Sequence, residues 1–188
     1  MAKVKLKDKE EEKIEVRKFN TELHTENVIA DDKGSARQLY DSSRFGEPRE
    51  GKIVYSFVET LYLLEKAKIA VKDGKKSLKF KDLLNKARKV EPNVWLKYIV
   101  FRDMRSRGYV VKTALKFGAD FRVYDRGVKP GEDHAKWILY PVHEGSTLTW
   151  HEFSAKNRVA HSTRKRLLLG IVDVEEDVTY YEVHWTRP

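Results

Sequence analysis

The amino-acid sequence predicts a mixed α/β fold of the α+β kind. A small N-terminal mixed α/β domain spans residues 1–92, and a second domain over residues 93–188 carries a central mixed sheet flanked by helices. Three observations predict this. Short alternating apolar runs of strand length recur in both halves. Between them lie segments at helical spacing, and two of these open with a hydroxyl residue three positions before a glutamate: Ser56 with Glu59, and Thr149 with Glu152. The helical run "FKDLLNKARKV" also stops before Pro92, and a new helix starts just after it.

In chain order, "KVKL" and "IEVRKF" read as short strands and "DDKG" as a turn. "SARQLYDSSRFG" reads as a short helix closed by Gly46, and "GKIVYS" as a strand. "SFVETLYLLEKAKI" begins with the first capping box and carries Phe57, Leu61 and Leu64 on one helical face. Asp73-Gly74 marks a tight turn, and "FKDLLNKARKV" is the next helix. "NVWLKYIVFRDMRSRG" opens the second half as a helix capped by Asn93 and ended by Gly108. The strands "YVVKTAL", "DFRVYDR" and "AKWILYPVH" follow, then the helix "WHEFSAKNRVAHS" behind the second capping box. Two last strands, "RLLLGIVDV" and "VTYYEVHW", are joined by the acidic turn "EED".

Composition excludes several classes of protein. The chain has 188 residues, 40% hydrophobic and 36% charged, which allows a packed core under a densely charged surface. No apolar run approaches the roughly 20 residues of a membrane-spanning helix. The start "MAKVKLKDKEEEK" is charged from the outset and does not read as a signal peptide, so a soluble cytoplasmic protein with no membrane partner is expected. There is no cysteine, hence no disulfide, thiolate zinc site or thiol nucleophile. The abundance of Lys and Glu without Cys also suits a heat-adapted source. A formal net charge of +9 favours a polyanionic partner, of which nucleic acid is the commonest.

Metal and nucleotide chemistry find no footing in the motifs. In "HEFSAKNRVAH" the second histidine comes ten residues after the first, whereas a helical zinc protease needs the pair one turn apart. Asp133 and Lys136 miss the spacing of metal-dependent nucleases, which carry an acidic residue two before the lysine, because His134 stands at that position. No GxxxxGK[ST] loop is present. No metal and no cofactor are therefore expected. A cluster of cations is more informative: Lys156, Arg158, Arg164, Lys165 and Arg166 fall within eleven residues around His161. It reads either as a solvated helix face or as a phosphate-binding junction, since the helix C-terminus favours cations and the following apolar strand anchors them.

Tyr124 and His134 flank a turn-rich loop containing Pro130 and Gly131, at the end of one predicted strand and the start of the next. They are two rim residues or they face each other across a cleft; spacing leaves both open. With a lysine they form a set that suits metal-free RNA cleavage. A base takes the ribose 2′-proton, an acid protonates the leaving 5′-oxygen, and a cation meets the charge on phosphorus. Histidine, with a reference pKa of ~6.5, suits the acid. Tyrosine, at ~10, becomes a useful base only where nearby cations stabilise its phenolate, and the basic cluster is a source of such cations.

At the C-terminus, Tyr181, Val183 and Trp185 share one face of the last predicted strand, with Tyr180 on the other. So apolar an edge favours pairing with a second copy. The turn before it carries Asp173, Glu175, Glu176 and Asp177, against the basic trend of the chain. It is either a solvated hairpin tip or a plug for a basic groove on a neighbour.

The segments "RSRGYVVKTALKFGADFRVYDRG", "HAKWILYPV" and "NRVAHSTRKRLLLGIVDVEEDVTYYEVHW" resemble the archaeal tRNA-splicing intron endonucleases, and "ETLYLLEKAKIAV" resembles the N-terminal domain of that family. The resemblance runs from about residue 35 to the C-terminus. It implies a catalytic endonuclease domain in the second half, with Tyr124 as base, His134 as acid and Lys165 as the cation. It implies metal-independent cleavage of precursor tRNA, or of other RNAs, at bulge-helix-bulge elements, leaving 2′,3′-cyclic phosphate and 5′-hydroxyl ends. Arg158 matches one of the cations with which the family clamps a flipped bulge base. The second falls near the C-terminus, where this chain offers Trp185 and Arg187, the tryptophan supplying stacking in place of charge. The resemblance also implies a homotetramer, a dimer of dimers. Tail strands, here with Tyr181 and Val183, pair two subunits, and the acidic loop Asp173, Glu175, Glu176 and Asp177 joins one dimer to the other. A non-catalytic structural subunit and a plain RNA-binding module are the alternatives. The joint presence of Tyr124, His134 and Lys165 speaks against the first of these.

Overall fold

The computed structural model describes residues 16–114, 118–128, 130–131 and 133–186. As expected, the fold is mixed α/β, with two mixed sheets and five helices among the described residues.

The first sheet has the order β3-β4-β2-β1-β5-β6. It comprises β1 (Phe19–Leu23), β2 (Val28–Asp31), β3 (Glu47–Arg49), β4 (Lys52–Tyr55), β5 (Ile69–Asp73) and β6 (Lys76–Leu78). Of the strand expected over 14–19, residues 14 and 15 lie outside the described residues, and the described part enters β1 only at Phe19, where the chain pairs in parallel with Ile69 of β5. "KVKL" lies outside the described residues. The helix α1 (Gly34–Ser43) ends at Arg44 rather than at Gly46. Arg44 takes the left-handed conformation, φ 58°, and its N–H donates to Tyr40 O at 2.8 Å. Gly46 serves a different need. It has φ 74°, and a Cβ there would come within 2.4 Å of Ile53 Cγ2, so the loop can lie this close to β4 only without a side chain.

Helix α2 (Phe57–Glu65) carries the expected capping box, with Ser56 and Glu59 bonding reciprocally. It stops at Glu65, because Ile69 belongs to β5. Helix α3 (Phe80–Val90) buries Leu83, Leu84 and Ala87 and ends before Pro92 as expected. Helix α4 (Val94–Ser106) follows, but Asn93 makes no side-chain cap there. Its ψ of 12° is outside the extended region that an N-cap normally adopts.

The second sheet runs β11-β10-β9-β8-β7. Its strands are β7 (Val110–Thr113), β8 (Phe121–Tyr124), β9 (Trp137–His143), β10 (Arg166–Val172) and β11 (Val178–Val183). Strands β7, β8 and β9 are antiparallel neighbours, β9 and β10 are parallel, and β11 returns antiparallel to β10. Parallel neighbours need a crossover, and α5 (Trp150–Ser162) supplies it behind its Thr149–Glu152 capping box.

Helix α4 joins the two halves. Its Phe101 meets Phe45 and Tyr62 on one side and Phe121 on the other, at ring centroid distances of 6.4, 5.8 and 5.9 Å. The hydrophobic core is therefore continuous from Val28 and Ile53 of the first sheet to Val123, Leu139 and Leu168 of the second. A smaller cluster, including Ile138, Tyr140, Ala160 and Leu167, seats α5 on the opposite face of the second sheet.

Candidate active site

Strand directions bring three chain segments to one end of the second sheet. Because β8 and β9 are antiparallel, the end of β8 lies beside the start of β9. Because β9 and β10 are parallel, the start of β10 lies there too. Tyr124 is the last residue of β8, His134 precedes β9, and Lys165 immediately precedes β10. All three line one cleft of about 420 Å³, together with Arg122, Gly131, Asp133 and Ala135.

Each is positioned by local chemistry. Tyr124 pairs in register with Val110 of β7 and is only 5% exposed. The loop after it is closed by an ion pair between its two ends, Lys136 Nζ to Asp125 Oδ2 at 2.8 Å. Lys136 N–H also donates to Val123 O at 2.9 Å, so the ladder resumes as soon as the loop returns. Inside the loop, Gly131 has φ 96°, a conformation that glycine adopts readily. Asp133 Oδ1 accepts from the His134 N–H at 2.6 Å, which fixes the backbone that carries the exposed imidazole.

Lys165 is set by the end of α5. Arg164 N–H donates to His161 O at 2.9 Å and Lys165 N–H to Ala160 O at 2.8 Å, with Arg164 left-handed at φ 57°. These are the two bonds of a Schellman terminator, with arginine where glycine is usual. Arg166 N–H then donates to Lys136 O at 3.0 Å and starts β10. Lys165 Nζ donates to Thr163 O at 2.8 Å.

The electrostatics correct one expectation. The basic cluster of residues 156–166 was expected to draw the Tyr124 phenol down. Instead burial pushes it up, Glu47 adds to the rise, and the cation opposing them is Arg122, on the same strand. Burial, and then Arg122, hold the Lys165 ammonium below its ordinary value. Sequence reading had not singled out Arg122. The available signal was its place two residues before Tyr124, which puts both side chains on one face of β8.

The remaining candidates lie elsewhere. Arg158 is exposed on α5, one helical turn before His161. The Trp185 ring rests against the His161 ring at 4.6 Å between centroids, with Trp185 54% exposed. Arg187 lies outside the described residues. Strand β11 is an edge of its sheet. Tyr181 is 59% exposed on it, Val183 is half-buried against the smaller core cluster, and Tyr180 turns inward to donate to Asp103 Oδ2 at 2.8 Å.

The acidic turn divides into two kinds of residue. Asp173 Oδ1 accepts from the N–H groups of Glu175 and Asp177 at 3.0 and 2.9 Å. Glu176 accepts from Trp95 Nε1 at 3.0 Å and lies 3.9 Å from the Arg102 guanidinium. The side chains of Glu175 and Asp177 are exposed.

With this geometry in view, the comparisons with known proteins agree over most of the chain. The family model of the tRNA intron endonuclease catalytic C-terminal domain matches residues 94–180, and that of the N-terminal domain matches residues 19–84. A tRNA-splicing endonuclease of Thermococcus kodakarensis is 41% identical over 165 residues, covering 88% of this chain and 96% of the relative. One from Methanothermobacter thermautotrophicus is 40% identical over 156 residues, covering 81% and 89%. One from Nanoarchaeum equitans is 44% identical over 137 residues, covering 70% and 88%.

Proposed function

The chain belongs to the tRNA intron endonuclease family, an enzyme that cuts introns out of tRNA, and from this we propose that it cleaves precursor tRNA at bulge-helix-bulge junctions without a metal ion in the chemical step. The observation that carries the reading is the meeting of Tyr124, His134 and Lys165 in one cleft, from three different strand ends.

The three groups cover the needs of the reaction. Tyr124, as phenolate, takes the proton of the ribose 2′-OH, and the freed oxygen attacks the adjacent phosphorus. The P–O2′ bond forms as the P–O5′ bond breaks. His134, as imidazolium, gives its proton to the departing 5′-oxygen. Lys165 meets the negative charge that builds on the non-bridging oxygens. The products are a 2′,3′-cyclic phosphate and a 5′-hydroxyl. Tyr124 ends protonated and His134 neutral, so proton exchange with water restores both.

Arg158 and Trp185 would hold a splayed bulge base by charge and stacking, as unpaired RNA allows and duplex does not. Arg187 is a further cation for the same base. We place the division between the N-terminal and catalytic domains at residue 92, between the segments that the two family models match. The working form is a homotetramer in which β11 edges pair two copies and Glu175 and Asp177 join the pairs. No helix among the described residues is long and apolar enough to cross a membrane. A cytoplasmic location fits an enzyme that acts on precursor tRNA and is part of the same proposal.

The test is cleavage of a bulge-helix-bulge RNA in excess EDTA, with the ends identified chemically. Cyclic phosphate and 5′-hydroxyl ends are expected at an undiminished rate. Cleavage that stops on chelation and returns with a divalent ion would remove the mechanism.

A further inference from the structure

Two cations sit side by side on the face of β7 and β8 that carries Tyr124, and their situations are opposite. Lys112 and Arg122 are partners in register across the two strands. Lys112 is saturated: its ammonium donates to Gly46 O at 2.6 Å, Arg44 O at 3.1 Å and Glu59 Oε1 at 3.2 Å. Arg122 is not. Its Nε is buried with no hydrogen-bond partner among the described residues, and the carboxylate it pairs with, Glu47, stands 3.6 Å away, beyond good hydrogen-bond reach. A buried donor without a partner is costly, and native structures seldom leave one without a reason.

The reason lies in the cleft. Arg122 lines it with Tyr124, His134 and Lys165, its guanidinium carbon 6.0 Å from the centre of the Tyr124 ring. A guanidinium offers donors in a planar fork that fits the oxygens of a phosphate. Glu47 stands in for such an anion in the RNA-free protein. It does not need Arg122 to remain paired, because its other oxygen lies 3.1 Å from Arg49.

We propose that Arg122 is a further catalytic residue, whose guanidinium leaves Glu47 when RNA binds and takes a non-bridging oxygen of the scissile phosphodiester. From there it neutralises charge on the phosphate while standing next to the Tyr124 phenolate. The two cations then divide the work: Lys165 approaches from the start of β10 and Arg122 from β8. This rests on the reading of the cleft as the cleavage site.

Single-turnover cleavage of a bulge-helix-bulge RNA tests it, beside the affinity for the same RNA carrying a 2′-deoxy nucleotide at the cut. Arg122→Gln is expected to slow cleavage by about a hundredfold, as when one preorganised donor is removed from a transition state, while affinity changes by less than about tenfold. Arg122→Lys keeps the charge without the fork and should recover part of the rate. Glu47→Gln should cleave at least as fast as wild type, because it releases Arg122. Melting temperatures show whether each variant is folded. If Arg122→Gln is unstable, Arg122→Lys and Glu47→Gln still decide. Full activity in Arg122→Gln overturns the proposal, as does a loss wholly accounted for by affinity. Equal inactivity of a folded Arg122→Lys and a folded Arg122→Gln, with Glu47→Gln also impaired, overturns it too. Active Tyr124→Phe and His134→Ala would instead discard the cleft itself, whatever Arg122 does.

Discussion

The ammonium of Lys112 lies 3.2 Å from the carboxylate of Glu59, and each side chain is only 5% exposed. This pair joins β7 of the second sheet to α2 of the first half. The same carboxylate accepts from the N–H groups of Gly46 and Ser56, each at 3.0 Å, so it also completes the α2 capping box and holds the Arg44–Gly46 turn. Burial alone would raise the Glu59 carboxyl, but Lys112 and the Ser56 and Gly46 donors outweigh it, and the net direction is down.

Removing one partner should be far worse than removing both. Lys112→Met leaves a buried carboxylate without its cation, a change that typically costs about 3–5 kcal/mol, and Glu59→Gln strands the ammonium. The double variant should be more stable than the sum of the single losses predicts, which chemical denaturation in a double-mutant cycle would show. A carboxyl depressed in the folded state stabilises above its unfolded pKa of about 4.3, and that contribution is lost as pH falls through the folded value. Wild type should therefore lose stability on acidification more steeply than Glu59→Gln. Parallel acid titrations of the two would refute this.

The contrast between α2 and the Glu59 pair shows what the sequence could reveal. Both capping boxes, at Ser56 and Thr149, were legible because three residues of chain contain the whole interaction. The long strands β9 and β10 were legible from their apolar runs. The three-residue strands β3 and β6 were not, since so short a run has no period to read. The end of α1 was misplaced because glycine was the expected stop, and Arg44 took the left-handed turn. In the cleft, Tyr124, His134 and Lys165 were named through resemblance. Spacing offered a plausible set without a location, and the parallel pairing of β9 with β10 supplies that location. Lys112 and Glu59 are 53 residues apart; the capping box marks Glu59 as a helix-start residue, but nothing local marks its pairing with Lys112.

Tyr124 and His134 should each be needed for the chemical step. His134→Ala removes the acid and should slow cleavage by about 10²–10⁴-fold while RNA binding persists. Tyr124→Phe should do the same to the base step. Lys165→Ala should slow the chemical step through lost charge at phosphorus. Wild-type binding with wild-type cleavage in His134→Ala would end the assignment.

The pH profile has a sign that burial sets. When a tyrosine base works with a histidine acid, the base has the higher pKa, so the alkaline limb of the rate reports the base. Burial raises Tyr124, so that limb should lie above the ordinary tyrosine value of about 10. NMR titration of ring-labelled tyrosine should show the same group titrating late, identified by its absence in Tyr124→Phe. A limb below 10 would mean that some other group is the base.

Base holding should follow the bulge. Arg158 and the Trp185–His161 pair share one side of the end of α5. Stacking of a base on an aromatic ring is worth about 1–3 kcal/mol by alanine substitution. Trp185→Ala and Arg158→Ala should each weaken cleavage of bulged RNA by roughly that measure and leave affinity for fully paired RNA nearly unchanged. Equal losses on both RNAs would place these residues in general backbone contact instead.

Assembly can be tested with more care than a wholesale reversal of the acidic turn allows. Glu176 holds Trp95 and lies near Arg102 of its own chain, and Asp173 ties the turn together, so changing either disturbs the hairpin itself. Glu175 and Asp177 have exposed side chains, so their charge can be reversed without undoing the internal bonds that Asp173 and Glu176 make. The β11 edge, with Tyr181 exposed, does not include Glu175 or Asp177, and its pairing should survive that change. Glu175→Lys combined with Asp177→Lys should therefore give a folded dimer by light scattering, not a monomer. It should melt near the wild-type temperature and cleave poorly, although Tyr124, His134 and Lys165 are untouched. Tyr181→Lys should break the other contact, and joined with the first pair it should give monomers. An unchanged tetramer after the double reversal would show that the acidic turn is a solvated tip, and a fully active wild-type monomer would remove the need for assembly altogether.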